Sequence, residues 1–163
     1  MGPSLGGTRM KTLIGVIGPN QATDSERETA EEVGREIARR DGALVCGGLG
    51  GVMEAVCRGA KSEGGLTIGI IPGLEKSDAN PYVDIPIVTG MSHARNVIVV
   101  RSSDAIIAIG GGYGTLSEIA FALTLEIPIV GINTWEVSPH IKRVATPKEA
   151  ADLAFSLARS RVQ

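Results

Sequence analysis

Residues 110–118 read GGGYGTLSE: four glycines in five positions, then a threonine and, three residues on, a glutamate. The apolar run AIIAI ends just before them. A tight turn alone needs one glycine or two. More bare backbone lets main-chain N–H groups approach a ligand closely and supplies left-handed conformations where a turn needs them. Where such a loop opens a helix, the unpaired first-turn N–H groups and the helix dipole favour an anion, phosphate above all. Two other junctions, GPNQATD (18–24) and GGLGGVM (47–53), have a similar character. Gly18, Gly47, Gly48, Gly111, Gly112, Gly114 and Thr115 are therefore the candidate phosphate contacts. One loop of this kind reads equally as a tight strand–helix turn. Two glycine loops in parallel positions point to a phosphate-bearing ligand.

Charged side chains near these loops add chemistry. Glu118 falls in the first turn of the helix that the third loop opens. Thr115 and Glu118 also have capping-box spacing, in which the glutamate only satisfies a backbone N–H. Thr146 and Glu149 show the same spacing with no glycine loop before them, and so provide a structural control. GMSHARN (90–96) enters the same sheet edge, where Arg95 can reach the crevice with a planar, permanently charged fork suited to phosphate or carboxylate. Arg101 reads equally as a ligand contact or a solvated surface charge. His93 reads as a hydrogen-bonded structural residue, since no cluster of metal ligands accompanies it. Cys46 and Cys57 lack CxxC pairing and read as buried free thiols, so no metal site is expected. GxGxxG does not follow the first strand, no acidic residue caps the second, and GK[ST] does not occur, which excludes the usual dinucleotide and P-loop sites.

Holding three loops together requires a scaffold that ends several strands at one edge. TLIGVIG (12–18), ALVCGG (43–48), LTIGIIPG (66–73), DIPIVTG (84–90), DAIIAIG (104–110) and IPIVGIN (127–133) read as strands. Helices are predicted over 23–40, through VMEAVCRGAKSEG, over 92–103, from about Thr115 to Leu125, and from TPKEA onward. The first opens with Thr23 three residues before Glu26, and the last with Thr146, Pro147 and Glu149. LEKSDANPYV is a polar loop long enough to form a rim or lid. Strands apolar on both faces, alternating with helices, predict an α/β fold: a three-layer, doubly wound parallel sheet of Rossmann-like type. In such a sheet the loops beyond the carboxyl ends of the strands build the ligand site. Residues 1–11 read as a flexible leader and 12–163 as a single nucleotide-binding domain.

The chain has 163 residues, enough to bury the core of one domain. Sixteen Lys and Arg against eighteen Asp and Glu, with 3% aromatics, provide neither a basic stripe nor a base-stacking platform, so nucleic acid is not expected as a partner. The apolar runs fall far short of the about 20 residues of a membrane span. The N-terminal MGPSLGGTRMK lacks a signal-peptide core. A cytoplasmic protein that engages no membrane is the expectation.

These motifs resemble the LOG ("Lonely Guy") family, often mislabelled "possible lysine decarboxylase", and its wider Rossmann-like superfamily. That family carries PGGxGTxxE after a strand, preceded by an MHxRK segment and a further Arg. GGGYGTLSE matches it at Gly111, Gly112, Gly114, Thr115 and Glu118. HARN matches at His93 and Arg95, and Arg101 stands where the further Arg is expected. LVCGGLGGVMEAV (44–56) is similar to the family's VYGGGxxGLMGAV with one residue fewer. Gly110 replaces the motif's Pro, Asn96 replaces its Lys, and Met91 is displaced by one position. The short chain and GGGYGTLSEIAFAL look closer to a sister branch that includes molybdenum cofactor carrier proteins.

Two functions are implied by the resemblance. The first is a carrier or sensor that binds a phosphorylated pterin or nucleotide, with a molybdenum cofactor or nucleotide as cargo. The second is a phosphoribohydrolase that cleaves the N-glycosidic bond of a nucleoside 5′-monophosphate without metal or organic cofactor. There, Arg95 and Glu118 would be the catalytic pair, with Glu118 stabilising the positive charge that builds on the ribose. Lysine decarboxylation ranks below both, since no lysine lies in the glycine loops. A homo-oligomer, dimer or tetramer, is implied too, consistent with apolar residues around most of the helix LSEIAFALTLEI.

Overall fold

A computed structural model describes residues 9–161. Most of the leader segment, residues 1–8, lies outside the described residues. Seven strands alternate with five α-helices: β1 (Leu13–Ile17), α1 (Asp24–Arg39), β2 (Ala43–Cys46), α2 (Val52–Ser62), β3 (Leu66–Ile71), β4 (Ile85–Val88), α3 (Asn96–Arg101), β5 (Ala105–Ile109), α4 (Tyr113–Thr124), β6 (Ile129–Ile132), β7 (Ile141–Arg143) and α5 (Pro147–Arg161). Short 3-10 turns occupy Lys76–Asp78 and Ser92–Arg95. The strands form one sheet in the order β4-β3-β2-β1-β5-β6-β7, and every pairing is parallel. This is the doubly wound, Rossmann-like α/β architecture that the alternating pattern predicts.

Period-two alternation along the central strands divides their side chains between two cores. Ile14, Val16, Ala105, Ile107, Ile109, Val130 and Ile132 pack with residues of α1, α2 and α5. Ile17, Val45, Ile106, Ala108 and Ile129 pack on the other face with Val99 and Val100 of α3 and Ile119 and Ala122 of α4. β1, β2 and β5 are buried along almost their whole length, which is why they read as unbroken apolar runs. The edge strand β4 is different: Ile85 and Ile87 are about half exposed, and Pro86 is tolerated because an edge strand leaves N–H groups unpaired.

Two predicted elements change, and one strand is added. β7 was not expected; its three residues, Ile-Lys-Arg, bury one side chain only and carry almost no periodic signal. The helix expected over 92–103 divides into the 3-10 turn and α3. The fourth helix begins at Tyr113 instead of Thr115, with consequences for the site.

Candidate functional site

In the strand order, β1 lies between β2 and β5, so the chain leaves it in opposite directions on its two sides. Crevices at such a reversal, beyond the carboxyl ends of the strands, are where open α/β sheets hold ligands. The loops after β1, β2 and β5 meet there around a cavity of about 290 Å³. Gly18, Pro19 and Asn20 line it from the first loop, Gly47 and Leu49 from the second, and Gly112 and Gly114 from the third. Met53, His93, Arg95, Asn96, Thr115 and Glu118 complete the wall. The first two loops are tied together: Asn20 Oδ1 accepts from the Gly50 N–H at 2.9 Å, and Pro19 O accepts from the Val52 N–H at 3.1 Å.

Two glycines show what the backbone requires. A Cβ on Gly47 would lie 2.6 Å from Nη2 of Arg95, so only glycine leaves room for the guanidinium. Gly110 has φ +67°, which proline cannot adopt. The departure from the resembled motif at this position is therefore a change in loop geometry as well as in residue type.

Arg95 closes the 3-10 turn and is 7% exposed. Its Nε–H donates to Ile70 O at 2.9 Å and its Nη2 to Gly47 O at 3.3 Å, both at the carboxyl edge of the sheet. Nη1 donates to Oδ1 of Asn96. Asn96 in turn donates to Ser117 Oγ at 3.1 Å, and Ser117 donates to Gly114 O at 2.7 Å. A continuous hydrogen-bonded chain thus connects Arg95 to the glycine loop. Arg95 makes no ion pair among the described residues. Burial lowers its pKa, and the nearby Glu118 carboxyl opposes that shift. Guanidinium is so basic that the group remains charged.

Thr115 and Glu118 do not form a capping box. Gly112, in extended conformation, precedes α4 and makes no side-chain cap, and its carbonyl accepts from Leu116 N–H at 3.0 Å. With Tyr113 as the first helical residue, Thr115 and Glu118 stand one turn apart on the cavity side. The Thr115 hydroxyl is buried without a hydrogen-bond partner among the described residues. Glu118 is 8% exposed, and burial pushes its pKa up to about 8, against the pull of Arg95. At neutral pH its carboxyl is mostly protonated and can donate.

The remaining candidates stand apart from the cavity. Gly48 is directed to Cys46, whose Sγ accepts from its N–H at 3.4 Å. Gly111 is exposed and faces Trp135. Arg101 is exposed at the end of α3 and does not line the cavity. Cys46 and Cys57 are buried and free, with Sγ atoms 3.5 Å apart. Sequence reasoning missed Asn96 and Ser117 as links, and Thr134 and Trp135 as supports of the glycine loop. Asn96 and Ser117 also bond locally, to Arg95 and Gly114, but the bond that joins them spans 21 residues. Thr134 and Trp135 reach 24 and 23 residues back, and nothing local in the sequence marks such contacts.

The sheet topology defines a Rossmann-like protein, and similarity in sequence and fold places it in the LOG-like superfamily, near its molybdenum cofactor carrier branch. More narrowly, the chain belongs to the SLOG cluster4 family, whose model matches residues 11–159. An uncharacterized protein of Archaeoglobus fulgidus is 46% identical over 143 residues, covering 88% of this chain and 94% of that protein. The cytokinin riboside 5′-monophosphate phosphoribohydrolase of Mycobacterium tuberculosis is 39% identical over 118 residues, or 66% of this chain. The match spans 63% of that enzyme's length. Among solved structures, the molybdenum cofactor binding protein of Rippkaea orientalis superposes with a TM-score of 0.86 at 38% identity, covering 91% of this chain and 98% of the other. The molybdenum cofactor carrier protein of Chlamydomonas reinhardtii gives 0.83 at 33% identity, covering 92% and 99%.

Proposed function

We propose that this protein binds a small phosphorylated pterin or nucleotide in the cavity beside α4 and holds it without turnover, as a carrier or sensor. One observation carries the reading: a buried guanidinium with no ion pair among the described residues shares a cavity wall with the start of α4, where burial raises the Glu118 pKa to about 8. An uncompensated buried charge is costly, and an anion delivered by the ligand removes that cost. The first-turn amides of α4, left over by the helix ladder, and the Thr115 hydroxyl, which has no partner among the described residues, supply donors. A protonated Glu118 adds a further donor and spares a phosphate the repulsion of a second anion. Similarity to the molybdenum cofactor binding proteins supports a pterin cargo of this kind.

The phosphoribohydrolase reading is favoured by a different observation, the presence of Arg95 and Glu118 on one cavity wall together with similarity to enzymes of that activity. In that reaction water adds at the ribose C1′ as the N-glycosidic bond breaks, and the base leaves with the bonding pair and a proton. Glu118 would stabilise the cationic sugar only as a carboxylate, which predominates above about pH 8. The two readings separate in one experiment. Incubation with AMP and calorimetric titration under the same conditions should show binding without release of adenine. Release of adenine and ribose 5-phosphate at a rate that rises with pH through about 8 would establish the enzyme instead. Absence of binding by AMP and by a phosphorylated pterin would overturn both.

A homo-oligomer belongs to this proposal. Phe121 on α4 is 37% exposed, and Ile85 and Ile87 expose apolar surface on β4. Light scattering at micromolar concentration should give at least twice the 16.9 kDa chain mass, and a monomer mass would refute it.

A further inference from the structure

Tyr113 lies between Gly112 and Gly114, both of which line the cavity, yet its own side chain is 85% exposed. Its ring stacks on Trp135, with centroids 6.4 Å apart and planes inclined by 23°. Trp135 is itself tied to the same loop: its indole N–H donates to Gly112 O at 3.1 Å, and a Cβ on Gly111 would touch its Nε1 at 3.0 Å. The neighbouring Thr134 hydroxyl donates to Gly110 O at 2.6 Å. The segment after β6 therefore holds the glycine loop from outside, and the aromatic pair is fixed to the backbone that forms the anion cradle. A tyrosine needed only for stability would bury more of its ring. The cavity adds a size argument. At about 290 Å³ it falls just below the ~300–1,000 Å³ range of small-molecule sites, which leaves the surface beside its mouth as room for a bulky ring.

We infer that the Tyr113–Trp135 pair is a ring-binding platform at the rim of this site, on which the fused heteroaromatic ring of a phosphorylated purine or pterin stacks. The inference rests on the proposed ligand reading and adds the side chains that select for a ring. Trp135 pins Tyr113 and the loop together, so the free face of Tyr113 is presented with little ordering cost when a ring arrives.

Calorimetric titration with two probes, AMP and ribose 5-phosphate, tests it. Both carry the phosphate and the sugar, and only AMP carries the ring. Tyr113→Ala should weaken AMP about tenfold, the scale of one lost base–aromatic stack, while ribose 5-phosphate stays within about twofold. Tyr113→Phe keeps the ring and should retain AMP affinity. Fluorescence of Trp135, the single tryptophan of the chain, should change with AMP and not with ribose 5-phosphate. Unchanged AMP affinity in Tyr113→Ala would place the ring inside the cavity, against Met53, and overturn the platform. Equal losses for both probes would also overturn it, because they would mean that the cradle itself had moved. If the unsubstituted protein binds neither probe, the phosphate cradle fails and the platform with it; binding of ribose 5-phosphate with no platform effect leaves the cradle standing.

Discussion

Thr115–Glu118 and Thr146–Glu149 have the same residue types at the same spacing, both near the start of a helix, and the structure uses them in opposite ways. At α5, Thr146 Oγ1 accepts from the Glu149 N–H at 3.2 Å, and Glu149 reaches back to the Ala145 N–H at 3.5 Å. Both side chains are exposed and serve the backbone. At α4 the helix starts two residues before Thr115, so Thr115 and Glu118 are helical residues on one face, both buried beside Arg95. The glycines make the difference: Gly112 takes the extended cap position, and Tyr113 and Gly114 complete the first turn without side-chain caps. A motif defined by spacing alone is silent on which residue begins the helix. The contrast teaches that donors spared from capping remain free for a ligand.

Matched substitutions at the two helix starts test that contrast. The largest effect is expected for Gly112→Ile. A Cβ there meets only Pro19 at 3.6 Å, so the fold should persist while the larger side chain fills the cradle. AMP binding should fall below detection in calorimetry, whereas Thr146→Ile should leave it unchanged; retained affinity in the first variant would remove α4 from the ligand site.

Next in size is the pH dependence of stability. The folded state raises the Glu118 pKa from its ordinary value of 4.5 to about 8, so the folded protein holds this proton more tightly than the unfolded chain. The resulting stability is fully present below about pH 4.5 and is lost as pH rises through about 8. Thermal unfolding of Glu118→Gln should lack this decline and exceed the unsubstituted protein by several degrees at pH 9. Parallel melting curves for the two proteins from pH 5 to pH 9 would show that Glu118 is ionised throughout.

Valine in place of each threonine should give effects of opposite sign. Thr115→Val removes a buried hydroxyl that has no partner, and should stabilise the free protein by about 1 kcal/mol while weakening AMP. Thr146→Val removes a helix cap and should cost about 1 kcal/mol with no effect on AMP. Denaturant unfolding measures both, and a loss in each would mean that Thr115 is a structural residue like its counterpart. The smallest effect belongs to Glu149→Gln, which keeps an acceptor for the Ala145 N–H and should shift stability by no more than about 0.5 kcal/mol.

Much of the frame is legible in the linear pattern. The capping box at Thr23 and Glu26 forms as its spacing predicts, with bonds of 3.1 and 3.0 Å. Six of the strands fall within the apolar runs that predict them, the interior ones because strands buried on both faces must be apolar throughout. β7 escapes since a three-residue edge strand imposes almost no constraint on composition. The 3-10 turn before α3 escapes because helical periodicity does not separate a tight turn from the helix it leads into. Arg101 illustrates the converse: the linear pattern reads it equally as a ligand contact or a solvated charge, and only the fold shows it exposed at the end of α3.

The sequence by itself determined the layered parallel sheet and the meeting of glycine loops at one edge, since both follow from local periodicity, chain connectivity and the handedness of crossovers. Tertiary structure alone decided the chemical state of the site. Burial raises the Glu118 pKa to about 8, and Arg95 has no ion pair among the described residues, because of what surrounds them in space. Burial is a property of the packed fold, not of neighbours along the chain. The same holds for Trp135, which lies 23 residues from the Gly112 carbonyl that it holds and reaches it only because β6 pairs with β5.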